Sequence, residues 1–442
     1  MTRRSFLSTA AASLAAPVER PNILILLTDQ QSPEALSAAG NPWLQTPAMD
    51  SLAARGVSFS ETYCTYPVCS PSRGSIFTGR MPHETGVRAN NQAIHAGMAT
   101  MGELFTQAGY ETVYGGKWHL PRPNGDVRGF RRISSKSGKG AQMDGPLATD
   151  CAAWLRNRKE KDPFLMVASF LNPHDICDWI RAHPGAHSYP DIGKFPPAPA
   201  NMAVDPLEPE FLQYHRTTGY DLMSQAVGIA SQWLRDDVRH YLHGYYRFVE
   251  DVDREIGRVL QALHDTQLDR NTLVVFASDH GEGMGAHRWV QKAAFWEETA
   301  KVPLIIAGPG VDQGKVDRRS LASLADILPT LCDFASIAPP PDQRGVSLRP
   351  ALTGQHLTRP FVVSELLYGG QSREGRMLRT SRYKYVRFNG GARPEQLFDL
   401  LADPGESHNM ARSDAASSVL QEHRRLLKSW ISAMADEFHS SG

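Results

Sequence analysis

The apolar positions of this chain fall into runs of two kinds. Asn22 to Leu27 reads Asn-Ile-Leu-Ile-Leu-Leu and ends at Thr28-Asp29. An unbroken apolar run of that length suits a central parallel strand buried on both faces. Phe164–Phe170, Leu273–Ala277 and Val302–Ala307 have the same character, while Val57–Tyr63 and Glu111–Tyr114 read as further strands. Segments of helical period lie between them. Thr46-Pro47 opens one helix, with Thr as cap and Pro in the first turn, where its missing N–H costs nothing. Leu52 and Ala53 lie on its apolar side and Gly56 ends it. A second helix spans Thr100–Ala108 and stops at Gly109. The longest opens at Asp236: Tyr245, Phe248, Val249, Val252, Ile256, Val259, Leu260 and Leu263 recur at three- and four-residue steps, one buried helical face. Another helix covers about Leu324–Phe334. Strands alternating with helices predict an α/β fold whose parallel sheet is covered on both faces.

Two stretches break this rhythm. Residues 181–210 are rich in Pro, Gly and His and read as a surface excursion. Pro339-Pro340-Pro341 marks a linker. Beyond it Val362–Leu366, Met377–Thr380 and Tyr383–Phe388 are closely spaced strands, and a helix covers about Ala415–Ala435. A small antiparallel sheet with a helix is expected there. The predicted domains are therefore 21–338 and 345–442.

Composition narrows the picture. The 442 residues carry 47 basic and 47 acidic side chains, a balance without the electrostatic footprint of a nucleic-acid binder. No apolar run reaches the ~18 residues of a membrane-spanning helix. The five cysteines (Cys64, Cys69, Cys151, Cys177, Cys332) are odd in number and too sparse for a disulfide scaffold. The chain opens Met1-Thr2-Arg3-Arg4-Ser5-Phe6-Leu7 and continues through an alanine-rich run to Ala16-Pro17. A twin arginine followed by small apolar residues predicts an export signal over 1–17 and a periplasmic or secreted product; a frayed terminus on a cytoplasmic protein is the alternative.

Ligands of open α/β sheets collect outside the C-terminal ends of the strands. Two such ends carry acids here, Asp29 and Asp279-His280. Carboxylates and an imidazole facing one crevice suit a hard divalent cation, although spacing alone is weak support, since Asp is also a common helix cap. A second feature raises the weight. Cys69-Ser70-Pro71-Ser72-Arg73 runs on to Thr78-Gly79-Arg80. A cysteine at a helix start with an arginine one turn later could be a low-pKa thiol nucleophile. A third segment reads Gly109-Tyr110-Glu111-Thr112-Val113-Tyr114-Gly115-Gly116-Lys117-Trp118-His119.

Together the last two segments resemble the two signatures of the type I, formylglycine-dependent sulfatases of the alkaline-phosphatase-like superfamily. The resemblance runs from Pro21 to about Cys332. It continues in Tyr383-Lys384-Tyr385 and in Leu397-Phe398-Asp399-Leu400 leading to Asp403-Pro404-Gly405-Glu406. It implies a large, mostly parallel sheet flanked by helices. It also implies a sulfuric ester hydrolase acting on an aryl sulfate or a sulfated carbohydrate, with a sulfamate as an alternative.

In that family the motif cysteine, here Cys69, is oxidised to Cα-formylglycine by a formylglycine-generating or sulfatase-maturating enzyme. One hydroxyl of the hydrated aldehyde attacks sulfur to form a covalent sulfo-enzyme; the other then expels sulfate, so one hard displacement becomes two easier steps. The resemblance assigns Asp29, Gln30, Cys69, Asp279 and His280 to the metal, with Ca²⁺ expected and Mg²⁺ or Mn²⁺ as alternatives. It assigns Arg73 to the hydrated aldehyde, Lys117 to the sulfate, His119 to the second hydroxyl and His174 to the leaving-group oxygen. Lys292 matches a further lysine of the site. Asp279 is also placed to assist deprotonation of the attacking hydroxyl.

Many members carry Asp-Asp where this chain has Asp29-Gln30, and Asn at the position of His280. The variants found here also occur in choline sulfatases and phosphonate monoester hydrolases. A phosphonate monoester or phosphodiester hydrolase is therefore the second reading. A non-catalytic glycan-binding relative is the third, opposed by the presence of every matched position. His83 fits either a layer behind the site or a structural role. His183 and His187 read as surface residues or substrate contacts, and the other four cysteines as free and partly buried. Specificity is expected in 84–98, 121–145, 175–215 and the C-terminal strands, with Arg373, Arg376 and Arg393 available to an acidic glycan.

Overall fold

The computed structural model describes residues 20–121, 127–134, 138–184, 195–368 and 373–439. The expected export signal, His187 and the tip of the 181–210 excursion lie outside them. The first half of the chain lays down β1 (Asn22–Asp29), α1 (Pro47–Arg55), β2 (Gly56–Phe59), β3 (Thr62–Tyr63), α2 (Cys69–Thr78) and α3 (Pro82–Thr85). Then come α4 (Met101–Gln107), β4 (Glu111–Gly116), β5 (Arg131–Ser134), α5 (Gly140–Asn157), β6 (Phe164–Pro173) and α6 (Ile176–Ala182). The second half adds α7 (Glu210–Thr218), α8 (Leu222–Ser231), α9 (Arg235–Asp265), β7 (Thr272–Ser278), α10 (Glu297–Ala300), β8 (Leu304–Ala307) and β9 (Lys315–Asp317). It closes with β10 (Ala322–Ser323), α11 (Ile327–Ala335), α12 (Arg349–Leu352), β11 (Phe361–Tyr368), β12 (Arg373–Thr380), β13 (Tyr383–Phe388), β14 (Glu395–Asp399) and α13 (Ser417–Met434).

The main sheet has the order β5-β4-β6-β1-β7-β8-β2-β9. It is mostly parallel; β8 runs antiparallel to both β7 and β2. β1 is fully buried, with Ile23, Ile25 and Leu27 in the core on one face and Leu24 and Leu26 in the core on the other. This alternation explains why the strand reads as one apolar run. α9 covers the second face: Val252, Ile256, Val259 and Leu263 are buried there, while Phe248 and Leu260 are only partly covered. Each fully buried aliphatic side chain contributes roughly 1.5–3 kcal/mol.

The sheet departs from expectation at Val57–Tyr63. The segment breaks at Ser60-Glu61, where the Ser60 N–H donates to Asp317 O at 2.9 Å, and β3 leaves the main sheet to pair with β10. The 181–210 excursion is less superficial than its composition implies, because Phe195, Ala198 and Met202 are buried. The C-terminal sheet is antiparallel as expected but has four strands, in the order β11-β12-β13-β14. Its outer face carries α13 through Leu420 and Leu427. No helix among the described residues is long and apolar enough to cross a membrane.

Candidate active site

β1 and β7 are parallel neighbours in register Thr28↔Ser278, so Asp29 and Asp279 leave the sheet side by side. The Gln30 N–H donates to Asp279 Oδ1 at 3.2 Å. Cys69 is the first residue of α2, and Arg73 lies one turn on. Both are fully buried. Arg73 Nε donates to Asp279 Oδ2 at 2.7 Å and one terminal nitrogen reaches Asp29 Oδ2 at 3.3 Å. Its other terminal nitrogen donates to Lys117 O at 2.7 Å and Ser169 Oγ at 2.8 Å. Arg73 thus holds the two carboxylates and ties them to the ends of β4 and β6.

Three cationic or imidazole groups surround the Cys69 sulfur. Lys292 Nζ lies 3.0 Å from Sγ, His280 Nε2 3.2 Å and Lys117 Nζ 3.7 Å. Lys117 also pairs with Asp29 Oδ2. His280 Nδ1 lies 2.8 Å from Gly281 O, so Nε2 is the end presented to Asp29, Cys69 and Asp279. Burial and Asp29 push the Cys69 thiol up, yet Lys117, Lys292 and His280 outweigh them and hold it well below the usual thiol range. The contrast with the other cysteines is sharp. All five are free and buried, rather than partly buried as expected for four of them. Burial pushes Cys64 and Cys151 far up, and Cys177 and Cys332 up to about 12.

The ligand atoms of Asp29, Cys69, Asp279 and His280 all lie within 4.8 Å of one another. This buried cluster of two carboxylates, an imidazole and position 69 fits a divalent metal ion. Burial first, and then the charge of Asp29, push the Asp279 carboxyl up despite Arg73. A divalent cation held by these residues would relieve that repulsion. Gln30 stands at the edge of the group. Its Nε2 donates to Glu282 Oε2 at 2.6 Å, which leaves Oε1 facing Lys292 Nζ at 3.1 Å.

His174 follows the cis Asn172–Pro173 bond at the end of β6. Burial, then Lys292 and Lys117, lower its pKa to about 3, so it is neutral in the free protein. His119 has a left-handed φ of 58°, its carbonyl accepts from Ser70 Oγ, and its buried Nδ1 has no partner. Asp29, Gln30, Cys69, Arg73, Lys117, His174, Asp279, His280 and Lys292 are therefore brought together around position 69, while His119 is tied to it through its backbone contact with Ser70. Sequence reasoning missed three supports. Ser169 Oγ donates to Lys117 O, Tyr245 Oη donates to Gln30 O at 2.8 Å, and Glu282 fixes the Gln30 amide. Only Glu282 left a signal, as the acid directly after Asp279-His280-Gly281.

Two other expectations change. Arg376 is not available to a glycan: it is 1% exposed and makes a two-pronged pair with Asp436 at 2.7 and 2.8 Å. Arg373 lies over the Tyr214 ring at 3.8 Å, and Arg393 donates to Glu208 O at 3.2 Å. His83 resolves to the structural alternative, with Nδ1 2.6 Å from Glu365 Oε1. His183 stacks on Trp179 at 3.9 Å.

Comparison with known proteins agrees with this geometry. A family model described as Sulfatase matches residues 21–337, and one described as N-sulphoglucosamine sulphohydrolase, C-terminal, matches 285–432. The chain is 37% identical to a Delta 4,5-hexuronate-2-O-sulfatase of Bacteroides thetaiotaomicron, over 96% of this chain and 91% of the relative. It is 30% identical to an ulvan-active sulfatase of Formosa agariphila, over 95% and 83%. The solved structure of a 2-O GAG sulfatase superposes with a TM-score of 0.88 at 35% identity, covering 96% of this chain and 94% of that one. A phosphonate monoester hydrolase of Agrobacterium radiobacter shares the fold, with a TM-score of 0.79 at 24% identity over 94% and 96%. The chain belongs to the sulfatase family of the alkaline-phosphatase-like superfamily and is a sulfuric ester hydrolase.

Proposed function

We propose that the protein removes a 2-O-sulfate from a hexuronate of a sulfated glycan, using Cys69 in its formylglycine form and a divalent cation, Ca²⁺ by preference for oxygen donors. The observation that carries this reading is the crowding of Lys117, Lys292 and His280 around one thiol between two buried carboxylates. The substrate class is supported by the likeness to the hexuronate-2-O-sulfatase.

The Cys69 sulfur marks where an oxygen of the hydrated aldehyde would stand. That group supplies a nucleophile with two hydroxyls, one to attack sulfur and one to expel sulfate later. Asp29, Gln30, Asp279 and His280 would hold the cation, which supplies Lewis-acid stabilisation of sulfate oxygens. The chain's own residues do the rest. Lys117 and Lys292 bind the sulfate charge in a largely buried site, where such contacts are strong. Arg73 pairs with both Asp29 and Asp279 and fixes their positions relative to each other. Burial first, and then Lys292 and Lys117, partly offset by Asp29 and Cys69, keep His174 neutral. An anionic sulfate beside the two lysines would offset their share of that shift and raise the His174 pKa, favouring a proton where the leaving-group oxygen needs one. His119 has a buried Nδ1 without a partner, and its carbonyl accepts from Ser70 Oγ next to Cys69.

The test is a substrate panel on matured enzyme. The expected order of kcat/KM is unsaturated hexuronate 2-O-sulfate disaccharides above p-nitrophenyl sulfate, and both above a phenyl phosphonate ester. A phosphonate preference would establish the second reading, motivated by Gln30 and His280. Absence of turnover on every sulfate ester after confirmed Cys69 conversion would establish the third. The reading requires a maturating enzyme as partner. It includes twin-arginine export of the folded protein, which fractionation of the native host tests.

A further inference from the structure

Two motifs of the C-terminal part, Tyr383-Lys384-Tyr385 and Asp403-Pro404-Gly405-Glu406, take no part in the site. Their charged members are nevertheless buried, with Lys384 0% and Glu406 3% exposed. A buried charge is costly unless it is paired and hydrogen-bonded. Lys384 Nζ donates to Phe295 O at 2.6 Å, pairs with Glu297 Oε1 at 3.1 Å, and pairs with Glu406 Oε1. The second oxygen of Glu406 accepts the Glu297 N–H at 2.7 Å. Together they grip the backbone at residues 295 and 297, just downstream of Lys292.

That grip acts on a strained segment. Gln291 and Ala293, on either side of Lys292, have left-handed φ values of 61° and 64°. Non-glycine residues keep such angles only where the surroundings over-determine them. Upstream, the Trp289 indole N–H donates to Lys292 O at 3.0 Å and the Gln291 N–H donates to Glu282 Oε1. At Ala293 the N–H donates to Pro67 O at 2.9 Å, which ties the segment to the chain entering Cys69. Downstream, the anchor is the Lys384–Glu406 pair.

We propose that Lys384 and Glu406 are positioning residues for Lys292: the C-terminal motifs serve to hold the Lys292 backbone where its Nζ meets the Cys69 side chain. The inference rests on the reading that Lys292 acts on the sulfate ester. It assigns the C-terminal subdomain a share in building the site, beyond covering the sheet.

The experiment measures kcat and KM of matured enzyme on p-nitrophenyl sulfate for Glu406→Gln and Lys384→Met, each alone and combined with Lys292→Ala. Either single substitution is expected to lower kcat by about ten- to a hundredfold, the cost of misplacing a reacting group by an ångström. In the Lys292→Ala background the same substitutions should change the residual kcat by less than about twofold, because residues acting as a unit are not additive. Equal losses in both backgrounds, or wild-type rates in both single variants, overturn the positioning role while leaving Lys292 in place. A fully active Lys292→Ala enzyme instead removes the reading of Lys292, and the proposal with it. Lys384→Met leaves Glu406 without its cation; if it does not fold, Glu406→Gln, which keeps the shape and one acceptor, decides the matter.

Discussion

Lys292 Nζ lies 3.0 Å from Cys69 Sγ, across 223 residues of sequence, and both side chains are buried. A lysine so placed lowers the energy of any negative charge that develops at position 69 or on a group bound there. Burial opposes its charge, yet with Cys69 in its thiol form that side chain, then Asp29, raise the Lys292 pKa above its ordinary value. Lys292→Ala should therefore lower kcat/KM for sulfate esters by about 10²–10³, the cost of removing one such donor. Steady-state kinetics with the circular dichroism spectrum unchanged checks this.

Metal removal should be visible without activity. Cation binding to the native state alone stabilises it by about 2.7 kcal/mol at a hundred times Kd. Chelation should lower Tm, and Ca²⁺ should restore it. Asp279→Asn should abolish that shift. A Tm indifferent to chelator and Ca²⁺ would contradict the assignment of Asp29, Asp279 and His280 to a cation.

Glu282 accepts from Gln30 Nε2 at 2.6 Å and the Gly283 N–H at 3.0 Å, and also from Tyr241 Oη and the Gln291 N–H. A carboxylate can accept all four; an amide has one oxygen and must leave donors unmet. Glu282→Gln should cost about 1–3 kcal/mol of stability. It should also weaken Ca²⁺ binding by about 10–100-fold through loss of Gln30 orientation. Calorimetric titration with Ca²⁺ and denaturant unfolding measure the two effects separately.

Arg73 offers a second stability test. Replacing it by Met leaves Asp29 and Asp279 facing each other without their guanidinium. Breaking a buried charge pair from one side costs about 3–5 kcal/mol, and urea unfolding of Arg73→Met should show a loss of that size.

His83 gives a pH signature away from the site. Burial alone would lower its pKa; the hydrogen bond and charge of Glu365 outweigh this and raise it. A base whose folded pKa is raised stabilises the fold fully below its unfolded pKa of ~6.5 and loses that contribution as pH rises through the folded value. Tm should fall across this window in the wild type and fall less in His83→Gln. Equal slopes would remove the pairing from the account.

The parts of this site that could be read from sequence are those with local signatures. Asp29 and Asp279 end unbroken apolar strands, and Cys69 and Lys117 sit in short ordered motifs. The parts that could not be read depend on partners far away in the chain. Arg376 reads as an exposed residue of a short strand, but Asp436, 60 residues on, closes over it. Ser169 lies in an apolar run whose pattern gives no hint that it bridges Arg73 and Lys117. The break between β2 and β3 depends on the backbone of Asp317 accepting from Ser60, a contact with no local signal. α5 was hidden by Pro146 and by glycines at 140 and 145, all weak helix formers, and is held by Leu147, Cys151 and Leu155 packing on the sheet.

On the proposed mechanism, position 69 works as an aldehyde hydrate and not as a thiol. Peptide mass spectrometry across residues 55–80, on active enzyme purified from its native host, tests this most directly. The account predicts formylglycine at position 69, a fraction of converted chains that scales with specific activity, and no turnover in a folded Cys69→Ala variant. A fully active preparation carrying only unmodified Cys69, or an active Cys69→Ala enzyme, would contradict it.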